Sequence, residues 1–156
     1  RRALPSGLRE TGFALALAAI IFPPFVVGFW WWHGPAHPFT WRPPDDLGSF
    51  ALSQLVLVGL PEEAFFRGFV QTRLSDAWPA RTRLLGTVVS LPALVLGAAL
   101  FAVVHLAADP HVTELATFFP GLLFGWVRAR RGGIGAAIVL HAISNILAEI
   151  LVRGWL

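Results

Sequence analysis

Long apolar runs separated by short arginine-containing segments dominate the hydrophobic pattern of this chain. Most of the runs approach the roughly 20 residues that an α-helix needs to cross the hydrocarbon core of a bilayer. They show no sustained alternation of apolar and polar residues, so the pattern does not favour β-strands. It predicts an all-α, polytopic transmembrane helix bundle. The five predicted spans cover residues 13–32, 47–74, 84–108, 112–127 and 134–152.

The composition agrees with a membrane protein and argues against several other classes of protein. Hydrophobic residues make up 56% of the 156 positions and charged residues 13%, against about 25% charged in a typical soluble domain. There is no cysteine, which excludes disulfides, thiolate metal sites and a cysteine nucleophile. All twelve basic residues are arginines that punctuate the apolar runs instead of forming one patch. We therefore expect the lipid bilayer, and no nucleic acid, as a partner.

The arginines outside the spans are distributed asymmetrically. Nine lie on one side: Arg1, Arg2, Arg9, Arg73, Arg81, Arg83, Arg128, Arg130 and Arg131. Only Arg42 and Arg153 lie on the other side. Because positively charged loops stay in the cytoplasm, the N-terminus is predicted to be cytoplasmic and residues 33–46 to form an external loop. The chain begins at Arg1 and not at methionine, so we expect further residues to precede it in a longer reading frame.

Six polar or charged residues interrupt the predicted spans: Glu62, Glu63, Arg67, His105, His141 and Asn145. A charged side chain at the centre of a span costs roughly 2.5–3.5 kcal/mol. Such residues therefore indicate a functional site unless they neutralise one another. Glu63 and Arg67 are four residues apart on one helix face, which predicts a structural ion pair. Glu62 lies about 100° away around the same helix, so it is predicted to face another helix.

The remaining polar residues form a set that can activate water: Glu62, His105, His141 and Asn145. A carboxylate beside a histidine can act as a general base. A second histidine with an amide can donate hydrogen bonds to a developing oxyanion. Glu62, His105 and His141 are equally a ligand set for a divalent metal such as zinc. The residues leave both alternatives open, water activated by the carboxylate and water activated by a metal.

Three motifs carry a resemblance to a known family. Residues 62–68 match Glu-Glu-x-x-x-Arg, residues 101–105 match Phe-x-x-x-His, and residues 141–145 match His-x-x-x-Asn. In this order, on separate predicted spans, they resemble the motifs of the CPBP family of intramembrane proteases. That family includes the type II CAAX prenyl endopeptidases and bacteriocin-processing or self-immunity proteins. The resemblance covers about residues 52–147.

The resemblance implies an intramembrane endopeptidase that acts on a membrane-associated or lipid-modified protein or peptide. The implied catalytic residues are Glu62 and His105, which activate water, and His141 and Asn145, which form the oxyanion hole; Glu63 and Arg67 are supporting residues. Family members are described both as metalloproteases and as glutamate-type proteases, and a mechanism without metal is the preferred interpretation. A bacterial inner membrane and a site open to the cytoplasm are also implied. The chain would form a single domain, with residues 1–46 as first span and external loop and residues 47–156 as the protease core.

Two other functions stay open at this point. One is a non-catalytic membrane peptide-binding or bacteriocin-immunity protein of the same fold, and the other is a transporter or channel subunit with an ion relay.

The spacing along the predicted spans also bears on the depth of the site. When residues are counted from 84 at a rise of 1.5 Å each, His105 is predicted to lie nearer the outer face of the membrane than Glu62. A tilt of the helix, or a break at Pro92 inside the third run, would bring the two residues level. Gly121 and Gly125, four residues apart, predict close packing of the fourth span against another helix.

Overall fold

The computed structural model describes residues 3–156, with side chains from Ser6 onward. Arg1 and Arg2, on which part of the predicted orientation depends, lie outside the described residues. The α-helices in this range are α1 (Ala3–His33), α2 (Leu47–Ser53), α3 (Leu60–Glu63), α4 (Gln71–Ala77), α5 (Leu91–Ala108), α6 (Phe118–Arg131) and α7 (Gly135–Trp155). The other elements are two π-helical segments (Gln54–Gly59 and Ala64–Val70), a 3₁₀ segment (Val112–Thr117) and the strands β1 (Thr82–Leu84) and β2 (Thr87–Val89).

The described chain divides into two compact units. The first unit contains the residues up to Leu60 together with Ile138–Leu156, and the second contains Pro61–Ala137. The first unit therefore carries α1, α2 and most of α7, whereas the second carries α4, the two strands, α5 and α6. The predicted boundary at residue 46 and the single-domain interpretation stay predictions.

Three helices among the described residues are long and apolar enough to cross a bilayer: Ser6–His33, Leu91–Ala108 and Gly135–Trp155. The predicted all-α, membrane-type fold is confirmed, and the chain is an integral membrane protein. The predicted number of five spans is too high.

Two of the predicted spans, at 47–74 and 112–127, are not observed as long apolar helices, for different reasons. The run at 47–74 is divided among three short α-helices and two π-helical segments and holds four charged residues, so it contains no long apolar α-helix. The run at 112–127 forms the 3₁₀ segment and the 14-residue α6, which ends in three arginines. A count of apolar residues cannot distinguish α-helical turns from π-helical or 3₁₀ turns, so it does not predict where the helix type changes.

A β-hairpin replaces the start of the third predicted span. β1 and β2 pair in antiparallel register. Leu85 and Gly86 at the turn have positive φ angles of 48° and 74°, the backbone of the tight turns that join twisted strands. α5 begins after the hairpin with Pro92 in its first turn, where a missing N–H costs no helical hydrogen bond. The interpretation of Pro92 as a residue inside a longer span is wrong.

The core of the second unit forms where α6 packs against α5. A Cβ atom on Gly121 would lie 3.2 Å from the Cα atom of Ala98, and one on Gly125 would lie 2.6 Å from Cδ1 of Leu94. Both distances are shorter than ordinary contacts, so the two glycines let the helix backbones approach each other. The predicted close packing at this pair is confirmed.

The C-terminal end of α7 is held by aromatic residues of the first unit. The backbone N–H of Thr40 donates to the carbonyl oxygen of Gly154 at 3.0 Å. The ring centroids of Phe39 and Phe29 lie 5.2 Å and 6.1 Å from that of Trp155. A Cβ atom on Gly154 would collide with the Phe39 ring. The segment that follows α1 is therefore fixed against the end of α7.

α2 begins at a side-chain cap. The carboxylate of Asp46 accepts hydrogen bonds from the backbone N–H and the hydroxyl group of Ser49, at 2.9 Å and 2.6 Å. These bonds lower the pKa of Asp46 below its ordinary value of 3.8. An N-cap of this type satisfies an N–H group in the first turn that has no helical partner. It explains why the helix begins at Leu47, directly after Asp46.

Candidate active site

The predicted ion pair between Glu63 and Arg67 is present and fully buried. The Nη1 atom of Arg67 lies 3.1 Å from Oε1 of Glu63, and the two side chains are 2% and 0% exposed. Arg67 also donates from Nη2 to the carbonyl oxygen of Gly121 at 3.2 Å, and its guanidinium carbon lies 4.3 Å from the ring centroid of Phe101. The pair thus ties the segment 64–70 to both α5 and α6 without leaving an isolated buried charge.

A second buried hydrogen bond repeats this contact one turn later. Nε2 of Gln71 donates to the carbonyl oxygen of Gly125 at 3.0 Å. Arg67 and Gln71 are four residues apart, as are their acceptors Gly121 and Gly125, so two successive turns of each helix are joined. The sequence pattern did not single out Gln71, although a polar residue four positions after Arg67 within the same apolar run was the available signal. Together the two bonds set the axial register of this helix against α6.

Glu62 and His105 are brought together in the second unit. Oε2 of Glu62 lies 3.8 Å from Nε2 of His105, and the two side chains are 31% and 27% exposed. The Nδ1 atom of His105 lies 2.9 Å from the carbonyl oxygen of Phe101. Because a carbonyl oxygen only accepts hydrogen bonds, Nδ1 carries the proton, and in the neutral ring Nε2 presents its lone pair towards Glu62. The Phe101 ring, with its centroid 4.2 Å from that of His105, restricts the imidazole further.

The predicted difference in depth between Glu62 and His105 is not observed. Glu62 lies fifteen residues before the end of α4 at Ala77, and His105 lies fourteen residues after the start of α5 at Leu91. Since the hairpin segment joins these two ends, nearly equal numbers of residues separate Glu62 and His105 from it, and the two residues lie side by side. Counting from residue 84 wrongly assigned the hairpin strands to the helix.

The separation of 3.8 Å is too long for a direct hydrogen bond. Although the Glu62 side chain is 31% exposed, its Oε2 atom is buried, so the exposure of the side chain comes from its other atoms. The carboxylate and Nε2 are two hydrogen-bond acceptors that lie close enough for one water molecule to donate to both once it reaches them.

The two other predicted catalytic residues lie in the first unit, on α7. His141 is 3% exposed, and Asn145 follows one turn later on the same helix face. Nδ2 of Asn145 donates to Oε1 of Gln54 at 2.9 Å. Sequence analysis missed Gln54, because a single polar residue near the start of an apolar run gave no motif.

No cluster of metal-binding side chains is found in the part of the chain whose side chains are described. Within residues 6–156, no three His, Asp or Glu side chains gather closely enough to hold a metal ion. Glu62 and His105 belong to the second unit and His141 to the first, so binding of a metal by these three residues stays a prediction.

Comparison with known proteins adds one match. The family model described as type II CAAX prenyl endopeptidase, Rce1-like, matches residues 44–147, two thirds of the 156-residue chain. No curated protein and no solved structure matches the chain. The match includes all three motifs and confirms the resemblance inferred from them.

Proposed function

This chain belongs to the family of Rce1-like type II CAAX prenyl endopeptidases, and on that basis we propose that it is an active intramembrane endopeptidase. It hydrolyses a peptide bond in a membrane-associated or lipid-modified protein or peptide. The observation that carries the proposal is the Glu62–His105 pair, with 3.8 Å between Oε2 and Nε2 and both side chains part-exposed. Both side chains of this pair are exposed in part, although Oε2 of Glu62 is buried, whereas the neighbouring Glu63–Arg67 pair is sealed.

The reaction begins with a water molecule held between Glu62 and His105. Glu62 takes one proton as the general base while Nε2 of His105 accepts a hydrogen bond from the other hydrogen. The water oxygen bonds to the carbonyl carbon of the scissile peptide, and a tetrahedral oxyanion forms. The C–N bond then breaks, and the proton held by Glu62 passes to the leaving amine. The products are a new carboxyl group and a new amine.

We assign the stabilisation of the oxyanion to His141 and Asn145. The assignment is supported by the His-x-x-x-Asn motif and by the position of both side chains on one face of α7. An imidazole N–H and an amide N–H are suitable donors, and loss of one such donor costs about 10²–10³ in kcat. Glu63 and Arg67 support the site by holding the helix that carries Glu62.

Apolar side chains beside the pair support a membrane-associated substrate. Phe65, one turn after Glu62, is 53% exposed, and Val103 and Val104 next to His105 are 54% and 49% exposed. Together they present an apolar surface to the bilayer or to an acyl or prenyl chain. The arginine distribution supports a cytoplasmic N-terminus, and the family resemblance supports a bacterial inner membrane.

The test compares the N- and C-termini of host membrane proteins by mass spectrometry at equal expression of each variant. Cells carrying the wild type, Glu62→Gln or the matched control Glu149→Gln are analysed side by side. Glu149 pairs with Arg153 at the protein surface, so its variant should behave as wild type. Termini that disappear only with Glu62→Gln would identify a protease and its substrates. Identical termini in all three strains would refute the proposal and favour the non-catalytic binding or immunity function.

A further inference from the structure

The Asn145 amide has a partner that the motifs do not include. Its Nδ2 atom donates to Oε1 of Gln54 at 2.9 Å. Gln54 opens the first π-helical segment, 91 residues away in sequence. Both residues belong to the first unit and are part-buried.

A close approach of the two helices makes this contact possible. A Cβ atom on Gly59 would lie 3.2 Å from the carbonyl oxygen of Ile138, so the glycine permits the backbones to come together at that point. Gln54 lies five residues before Gly59, and Asn145 lies seven residues after Ile138. The two side chains therefore meet on the same side of the crossing, between helices that run in opposite directions.

The chemistry of an amide makes the contact informative. Nδ2 of an asparagine carries two hydrogens, and Oε1 of Gln54 accepts one of them. This bond fixes the rotation of the Asn145 side chain and leaves the second N–H to donate to another acceptor. Without Gln54 the amide would turn freely, and its N–H would occupy the donating direction only part of the time.

We propose that Gln54 is a positioning residue that orients the Asn145 amide for the oxyanion. The inference rests on the proposed function, in which Asn145 stabilises the oxyanion. Gln54 itself touches no reacting atom in this scheme. Pre-organised donors act in the transition state without reorganisation, so the effect of Gln54 falls on kcat and not on KM.

Gln71 provides a matched control. It is also a glutamine whose side chain joins two helices, through Nε2 and the carbonyl oxygen of Gly125 at 3.0 Å. Its bond is made to backbone and not to a motif residue. If Gln54 only joined helices, Gln54→Leu and Gln71→Leu would have the same effect on activity per folded protein.

The kinetic experiment uses protein in liposomes and an internally quenched peptide ending in a farnesylated Cys-a-a-X sequence. We expect Gln54→Leu to lower kcat roughly 10- to 100-fold with little change in KM, and Gln71→Leu, which acts only through the packing of the helix, to lower kcat per folded protein much less. Gln54→Glu, which also accepts from Nδ2, should restore most of kcat. In an Asn145→Ala background, Gln54→Leu should have no further effect. Equal losses in the two leucine variants, or additive losses with Asn145→Ala, would overturn the inference.

A second readout does not depend on activity. The side-chain amide signal of Asn145 is assigned by NMR from its disappearance in Asn145→Ala. Its two hydrogens should give sharp, separate signals in the wild type and in Gln71→Leu, and broadened signals in Gln54→Leu. An unchanged signal in Gln54→Leu would overturn the inference even if the enzyme is active. Absence of cleavage of this peptide by the wild type, together with identical termini in the mass-spectrometric comparison, would refute the proposed function, and the expected broadening would leave the positioning contact standing.

Discussion

Replacing Gly59 with alanine is expected to destabilise the protein, although alanine is the better helix former. The new Cβ atom would lie 3.0 Å from the carbonyl oxygen of Gln54 and 3.2 Å from that of Ile138. Ordinary contacts begin at 3.4 Å, so the backbone at Ile138 must move away by roughly 0.2 Å and the π-helical turn that begins at Gln54 must widen by roughly 0.4 Å. Both atoms are backbone oxygens within helices and cannot rotate aside as a side chain would.

The magnitude follows from three contributions. The change to alanine favours the helix by about 1 kcal/mol, overpacking costs about 1–3 kcal/mol, and a stretched Gln54–Asn145 bond loses about 0.6 kcal/mol in a membrane protein. The net loss in the free energy of unfolding is about 0.5–2.5 kcal/mol. Gly97→Ala is the control, because its Cβ would meet the nearest atom at an ordinary 3.9 Å; that variant should gain up to about 1 kcal/mol.

The assay is equilibrium unfolding in mixed micelles with an increasing fraction of SDS, followed by far-UV circular dichroism. Wild type, Gly59→Ala and Gly97→Ala are measured under the same conditions. Gly59→Ala should unfold at a lower SDS fraction than wild type, and Gly97→Ala at an equal or higher one. If both variants shifted in the same direction by the same amount, the close approach at Gly59 would not limit stability and the reasoning would be refuted.

Three further predictions concern other contacts. Arg67→Leu should cost about 3–5 kcal/mol in the same unfolding assay, because Glu63 would stay buried without its cation; recovery on adding Glu63→Leu would confirm this cause, and no recovery would contradict it. Leu85→Asn should stabilise by about 1 kcal/mol, since asparagine tolerates the positive φ of 48° at this position; a lower melting temperature in detergent would contradict it. Asp46→Ala should make the stability of the protein depend less on pH in the acid range. The pKa of Asp46 is lowered in the folded state, so its cap stabilises the protein above pH 3.8, and this contribution is lost as the pH falls below that value. If the melting temperatures of Asp46→Ala and wild type changed by the same amount across this pH range, the prediction would be contradicted.

Local spacing was enough to predict several features of this protein. The Glu63–Arg67 pair follows from the helical period alone, since residues four apart always share a face. The close packing at Gly121 and Gly125 follows from the same period and from the small size of glycine. The three motifs were enough to indicate the family, which the match over residues 44–147 confirms. The functional roles of the motif residues stay predictions.

Element boundaries could not be predicted to the same degree. The runs at 47–74 and 84–108 are mostly apolar by composition, yet the first contains two π-helical segments between its α-helices and the second begins in a hairpin. Apolar content is equally compatible with α-helical turns, π-helical turns and a short buried strand. The number of spans was therefore overestimated, and His105 was wrongly predicted to lie nearer the outer face than Glu62.

The amino-acid sequence by itself determined the membrane environment, the all-α class and the residues that share a helix face, because each depends on composition or on spacing within one helix. Only the tertiary structure decided that His105 faces Glu62, that Gln71 bonds to Gly125, and that Gln54 bonds to Asn145. These contacts join residues 43 to 91 positions apart. They depend on the axial register of packed helices, which is set by where glycines permit close approach and by how long the connecting turns are. No local pattern encodes that register.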